Sequence, residues 1–146
     1  AQLPERGTSK PHITLHTIER GRVERVAGEA FTPLEVPHGS IRVMGFRVGA
    51  LGYVTDAKKL TPSTVDALRG VRVLVLNALW WGDPHPTHFN VEEALDTARL
   101  IGARQTFLTH PTHRVAHAEL EANLPSGVAP AYDGLSVEVP GTEGEP

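Results

Sequence analysis

Cysteine is absent from the chain, which excludes a disulfide-stapled scaffold and a thiolate metal site. Aromatic residues make up only 5% of it, so a core has to be built from Val, Leu, Ile and Ala. There is no basic excess. Lys and Arg number 14 against 17 Asp and Glu, a net charge of −3, whereas a nucleic-acid binder normally carries a positive surplus. No apolar run approaches the roughly 18 residues of a membrane span, and the first residues lack the apolar stretch of a signal peptide. These absences point to a soluble, cytoplasmic protein that neither enters a membrane nor binds nucleic acid through a basic patch. The 146 residues suffice for one domain of ordinary globular composition. What the chain does have is eight histidines, and the functional reading rests on where they fall.

Residues 1–11 and 141–146 are polar, punctuated by Pro or Gly, and read as a flexible arm and tail. Residues 12–18 alternate with period two and predict a strand. Residues 30–36 predict a second, and residues 42–48 and 51–55, split by Gly49-Ala50, predict a hairpin. This much is a β-meander. Then the texture changes. Thr61-Pro62 supplies an N-cap with Pro at the first helical position, opening a short helix over 63–69 that Gly70 ends. Residues 71–76 are almost continuously apolar and β-branched, as in a strand covered on both faces. Asn90 and Glu93 form a capping box, and Val91, Ala94, Leu95, Ala98 and Ile101 make one apolar stripe before Gly102. A strand over 104–109 completes a right-handed βαβ unit spanning 71–109. A short helix near 116–122 and a last strand over 135–139 follow.

Histidines and one carboxylate cluster at strand ends. His38 follows the strand at 30–36, Asp56 the strand at 51–55, and His110 the strand at 104–109. His88 lies in the loop after the buried strand. Open α/β sheets build their sites at the carboxyl ends of strands, so these four can converge on one edge. Two or three His with one Asp and no Cys suit a divalent zinc, manganese or iron ion. Each also has a plainer reading. Asp56 and His38 fit turns, His110 fits a buried hydrogen-bonded structural role, and His88 fits an exposed loop. His113 and His117 share a helical spacing used by zinc sites, but Pro111 breaks the helix and no Glu lies between them, so they read as peripheral or surface residues. His12 and His16 read as one solvated strand face. Trp80-Trp81 either walls a pocket or covers a sheet end, and Tyr132-Asp133-Gly134 reads as a turn. Asn77, ending the buried strand, needs a hydrogen-bond partner if it faces inward.

Val36-Pro37-His38-Gly39, Gly52-Tyr53-Val54-Thr55-Asp56, His85-Pro86-Thr87-His88-Phe89, Leu108-Thr109-His110-Pro111-Thr112-His113 and Tyr132-Asp133-Gly134 together resemble the metallo-β-lactamase-fold hydrolases. The similarity is to the branch containing the cyclic-phosphate phosphodiesterase of phosphonate breakdown, and it runs from near Thr8 to Val139. Carried over position by position, it implies that His38 is the third histidine of one metal site. Asp56 becomes the carboxylate bridging two metals, His110 a ligand of the second site, and His88 the proton donor near the leaving group. The family usually has a carboxylate where Asn77 stands, and residues 111–114 also depart from its pattern. A larger departure is the absence of its early His-x-His-x-Asp-His motif, since no two histidines here lie two residues apart.

The resemblance therefore implies an α/β chain forming the C-terminal half of an αββα sandwich, with a mixed sheet in which a β-meander precedes a βαβ unit. It implies a metal-dependent hydrolase, a phosphodiesterase acting on small or cyclic phosphate esters with two divalent ions, zinc or manganese. Activity is then expected only together with the missing N-terminal half. The sheet face that would meet that half is expected to be exposed or self-paired, which predicts a homodimer or pairing with an N-terminal half. The alternative is a non-catalytic assembly or regulatory half-domain with vestigial metal ligands.

Overall fold

The apolar run after Gly70 becomes a central strand of a seven-stranded mixed sheet, paired on both edges. Helices cover only one of its faces, and Val75 on the other is half-buried rather than covered as expected. The computed structural model describes residues 12–139. The expected arm at 1–11 and tail at 141–146 lie outside the described residues. In chain order the elements are β1 (Glu24–Val26), β2 (Glu29–His38), β3 (Ile41–Val48), β4 (Leu51–Val54), α1 (Pro62–Leu68) and β5 (Val73–Asn77). They continue as α2 (Val91–Ile101), β6 (Gln105–Thr109), α3 (His117–Asn123) and β7 (Val128–Pro130). Strand order in the sheet equals chain order. The pairs from β1 to β4 are antiparallel and those from β4 to β7 parallel, so the meander and the βαβ unit both form as expected.

Each parallel step passes through one helix. Right-handed crossovers that always advance in the same direction put α1, α2 and α3 on one face of the sheet. That face is the core. The row Val54, Leu76 and Leu108 lies in register across β4, β5 and β6, each no more than 1% exposed, under Leu68, Val91, Ala94 and Leu120 from the helices. Gly52 brings α1 directly onto β4, since a Cβ there would lie 2.7 Å from Leu68 Cδ2. The next row faces the other way. Phe46, Tyr53, Val75, Phe107 and Ala129 pair across five strands, all are apolar or aromatic, and Tyr53 is 46% exposed. One face of the sheet is thus closed and the other is an apolar surface.

Helix signals were written locally and hold. Thr61 caps α1, accepting from Thr64 N. Asn90 and Glu93 form the reciprocal capping box of α2, which ends at Gly102 with φ 77°. Two expected strands are absent. Residues 12–18 form no strand; Ile13 and Leu15 are 74% and 90% exposed, an alternating pattern with no sheet edge to pair with. Residues 135–139 also run without pairing, and the last strand is instead the short β7 beside β6. Conversely, β1 carries no strong signal. It pairs with β2 through Ala27-Gly28, both at positive φ (52° and 91°), a tight hairpin that normally uses Asn-Gly. Among the described residues, no helix is long and apolar enough to cross a membrane.

Candidate metal centre

Strands β2, β4, β5, β6 and β7 all run the same way, so their carboxyl ends share one edge of the sheet. His38 is the last residue of β2. Asp56 stands just past β4, and its loop is clamped from below. Ala57 N donates to Asn77 Oδ1 at 2.7 Å and Asn77 Nδ2 donates back to Ala57 O at 3.1 Å. Asn77 is fully buried at the end of β5, so its expected need for a partner is met by the loop that presents Asp56. Phe89 N also donates to Ala57 O, at 2.7 Å, and Lys58 Nζ binds Glu93 of α2 at 2.6 Å.

The segment between β5 and α2 is pinned at its base, where Leu79 N donates to Phe89 O and Val91 N to Trp80 O. Phe89 is buried. This holds His85, Thr87 and His88 over the sheet edge. Trp80 donates to Asp83 O, meets the His85 ring edge-on at 5.5 Å and carries the Arg114 guanidinium 4.3 Å above its ring. It walls the site from one side.

Three of the expected residues converge closely. The donor atoms of His38, Asp56 and His88 all lie within 4.8 Å of one another. The His38 and His88 rings are 4.5 Å apart, edge to face. His38 Nδ1 lies 3.0 Å from Thr87 O; a carbonyl only accepts, so this nitrogen carries the proton and Nε2 keeps its lone pair. Thr55 donates to Asp56 Oδ2 at 2.8 Å. Asp56 Oδ1 faces His88 Nε2 at 3.4 Å, an ionic approach rather than a good hydrogen bond, and His88 Nε2 is buried without a hydrogen-bond partner. A free imidazole lone pair on His38 and the Asp56 carboxylate oxygen offer N/O donors that fit a divalent cation, with the orphaned His88 Nε2 buried beside them.

His110 sits beside this group, its ring 4.9 Å from that of His88. Exposed, it holds φ 66°, one of two non-glycine residues at positive φ among the described residues. A left-handed histidine at a strand end is the kind of backbone strain that gathers at functional sites. The tight donor group thus contains His88 where the resemblance implies His110. His113 and His117 are exposed, and so are His12 and His16, on a segment that is not a strand. Tyr132-Asp133-Gly134 is a turn, with Leu135 N donating to Tyr132 O. A cavity of about 370 Å³ between α2, Arg104 and Ser126 lies at the opposite sheet edge and holds none of these residues.

Electrostatics follow the crowding. Burial pushes the Asp56 carboxyl up, but the Thr55 hydroxyl, His88, His110 and His38 together bring it below its ordinary range. Burial holds His88 below the usual imidazole value; Asp56 opposes this, while His38, His110 and His85 reinforce it. Two participants escaped the strand-end argument, His85 and Thr87. Their signal lay in the string His85-Pro86-Thr87-His88, whose other polar members also face the site. His85 Nδ1 lies 3.3 Å from Thr87 N and 3.2 Å from Thr87 Oγ1, and the His88 ring is 5.2 Å away.

Comparison with known proteins bears on this arrangement. A family model described as the β-lactamase superfamily domain matches residues 1–111. A solved diphosphatase of the PhnP family superposes with a TM-score of 0.77 at 32% identity, covering 82% of this chain and 46% of that one. The metallo-β-lactamase fold protein YhfI from Bacillus subtilis gives 0.68 at 19% identity, covering 81% and 53%. The short form of human tRNase Z gives 0.61 at 18%, covering 80% and 46%; these last two show the fold alone. A curated octanoyltransferase of Porphyromonas gingivalis is 31% identical over 126 residues, 86% of this chain and 26% of that protein. The chain thus spans about half the length of the solved structures and a quarter of the curated relative.

Proposed function

This chain belongs to the β-lactamase superfamily domain family, and from that premise we propose that it supplies one wall of a metal-dependent hydrolase site for small or cyclic phosphate esters. The observation that carries the reading is the meeting of His38, Asp56 and His88, the last with its Nε2 buried and without a partner. Similarity to a PhnP-family diphosphatase supports the phosphate-ester class.

His38, Asp56 and His110 are the residues that would hold two divalent ions, zinc or manganese, with the Asp56 carboxylate available to both. When bound, such ions supply an activated water and offset charge on the phosphoryl oxygens. Asp56, kept ionised by its neighbours, offers one oxygen to Thr55 and the other to the centre. His88 is the group that hands a proton to the departing alkoxide. The Phe89 anchor keeps that ring over the sheet edge, and Trp80 packs edge-on against the neighbouring His85.

The rest of the site comes from a partner on the apolar sheet face. Contiguous apolar patches of this kind usually mark association, and the row Phe46, Tyr53, Val75 and Phe107 is the surface we assign to it, either for an N-terminal half or for a second copy. The test is hydrolysis of alkyl and aryl phosphodiesters by the chain joined to an N-terminal half, with metal content measured alongside. Turnover that needs close to two ions supports the reading. A folded assembly that binds metal yet hydrolyses no phosphate ester overturns it.

A further inference from the structure

Thr87 touches both site histidines with different chemistry. Its carbonyl oxygen meets His38 Nδ1 at 3.0 Å, and its hydroxyl meets His88 Nδ1 at 2.8 Å. We propose that Thr87 is a positioning residue that gives His38 and His88 opposite tautomers, and so decides which ring ligates and which donates. This rests on the functional reading above only for the names of the two roles.

The argument is a count of protons and lone pairs. A carbonyl accepts, so His38 carries its proton on Nδ1 and keeps its lone pair on Nε2, the nitrogen free to ligate. His85 Nδ1 has a single lone pair, and the Thr87 backbone N–H already points at it from 3.3 Å. His88 Nδ1 also lies 3.4 Å from His85 Nδ1, but its shortest contact is the Thr87 hydroxyl, at 2.8 Å against 3.2 Å from that hydroxyl to His85, and we place the hydroxyl proton on His88 Nδ1. Once His88 Nδ1 accepts, its proton sits on Nε2, the atom that looks toward Asp56 Oδ1. The same residue thus presents a bare nitrogen on one ring and an N–H on the other.

Gly39 holds Thr87 in place. A Cβ at Gly39 would lie 2.8 Å from Thr87 Cγ2, and Gly39 itself sits at φ 62°, so the Thr87 methyl packs against bare backbone in the turn that follows His38. His38, Gly39 and Thr87 form one clasp between β2 and the segment before α2.

Nitrogen-15 NMR of the imidazoles in the full, metal-free chain, at about pH 8, above the ordinary imidazole range, reads the tautomers directly. The expected spectrum has His38 protonated at Nδ1 and His88 at Nε2. In Thr87→Val the carbonyl remains and the hydroxyl is lost, so His88 should become a tautomer mixture while His38 stays unchanged. Thr87→Ser should restore the original His88 signals, which a merely space-filling role would not do. Gly39→Ala should disturb both rings and lower metal affinity about 10–100-fold. His88 protonated at Nδ1 in the unsubstituted chain, or unmoved in Thr87→Val, overturns the inference without any variant having to be active. Correct tautomers in a chain that never turns over phosphate esters leave it standing and strike the functional reading instead.

Discussion

Asn77 and Ala57 hold each other through a closed pair of hydrogen bonds, one in each direction, at 2.7 and 3.1 Å. The side chain is fully buried at the end of β5, and the loop it grips presents Asp56. We expect Asn77→Ala to orphan the Ala57 N–H and cost about 1–3 kcal/mol. Ala57 O keeps its bond from Phe89 N, so the loss is confined to the donor. Urea unfolding should show a lower midpoint at an unchanged slope. The loosened loop should also weaken metal binding at Asp56, which titration calorimetry can follow on the same sample.

How much of this was legible beforehand depends on whether the signal was local. The capping box at Asn90 and Glu93, the Pro62 start and the buried run around Leu74 are local, and each element formed where it was expected. Strands that depend on finding a neighbour were not. The alternation of Ile13 and Leu15 has no edge to join, and Leu135, Val137 and Val139 alternate beyond the last pairing. The β1 hairpin hid behind an alanine at positive φ. For the site, strand ends placed His38, Asp56 and His110 along one edge of the sheet, and the loop after the buried strand set His88 among them. The clasp of Asn77 on Ala57 joins residues 20 apart in sequence, and that of Thr87 on His38 residues 49 apart, distances over which no periodicity operates.

Acid should destabilise the metal-free chain in two stages. His88 is held below its ordinary value of 6.5 in the folded state, so below that pH the unfolded chain binds the proton more readily. Its neutral form is an advantage that begins to fade as pH falls through 6.5 toward the folded value. Asp56 is also held below its ordinary 3.8; its contribution is present above that pH and is lost as pH falls through the folded value. Both contributions have the same sign, stability rising with pH. Denaturant midpoints measured from pH 8 down to pH 4, roughly the range in which imidazoles titrate, should decline, and His88→Gln should flatten the upper part of the curve. A curve for that variant parallel to the original would remove His88 from the account.

The apolar sheet face makes a prediction about association. Tyr53 stands mid-row between Phe46 and Val75, 46% exposed, and contributes nothing to the helix-covered core. Tyr53→Lys should leave the circular dichroism unchanged while placing a charge where a partner's apolar surface must sit, a desolvation cost of several kcal/mol for an unpaired ion. Sedimentation velocity should then show self-association of the original chain that the variant lacks. Identical, well-behaved monomers in both cases would show that this face is not an interface between copies and leave the N-terminal half as its only assigned occupant.

The division of labour between His88 and His110 separates a hydrolase from a scaffold. Geometry sharpens the question, because His88 stands inside the tight donor group and His110 is exposed beside it at φ 66°. In the joined assembly, His110→Ala should lose metal and activity together, since a missing ligand weakens coordination directly. His88→Ala should keep its metal and hydrolyse alkyl phosphodiesters about 10²–10⁴-fold more slowly. Aryl esters should be affected far less, because their leaving group needs little protonation. Equal loss on both esters with metal retained would make His88 a binding residue rather than a proton donor. Metal loss in His88→Ala would move it into the ligand set, where its distance to Asp56 and His38 already places it within reach. If neither substitution alters any hydrolysis, and metal analysis finds none or one weakly held ion, the non-catalytic half-domain with vestigial ligands takes the enzyme's place.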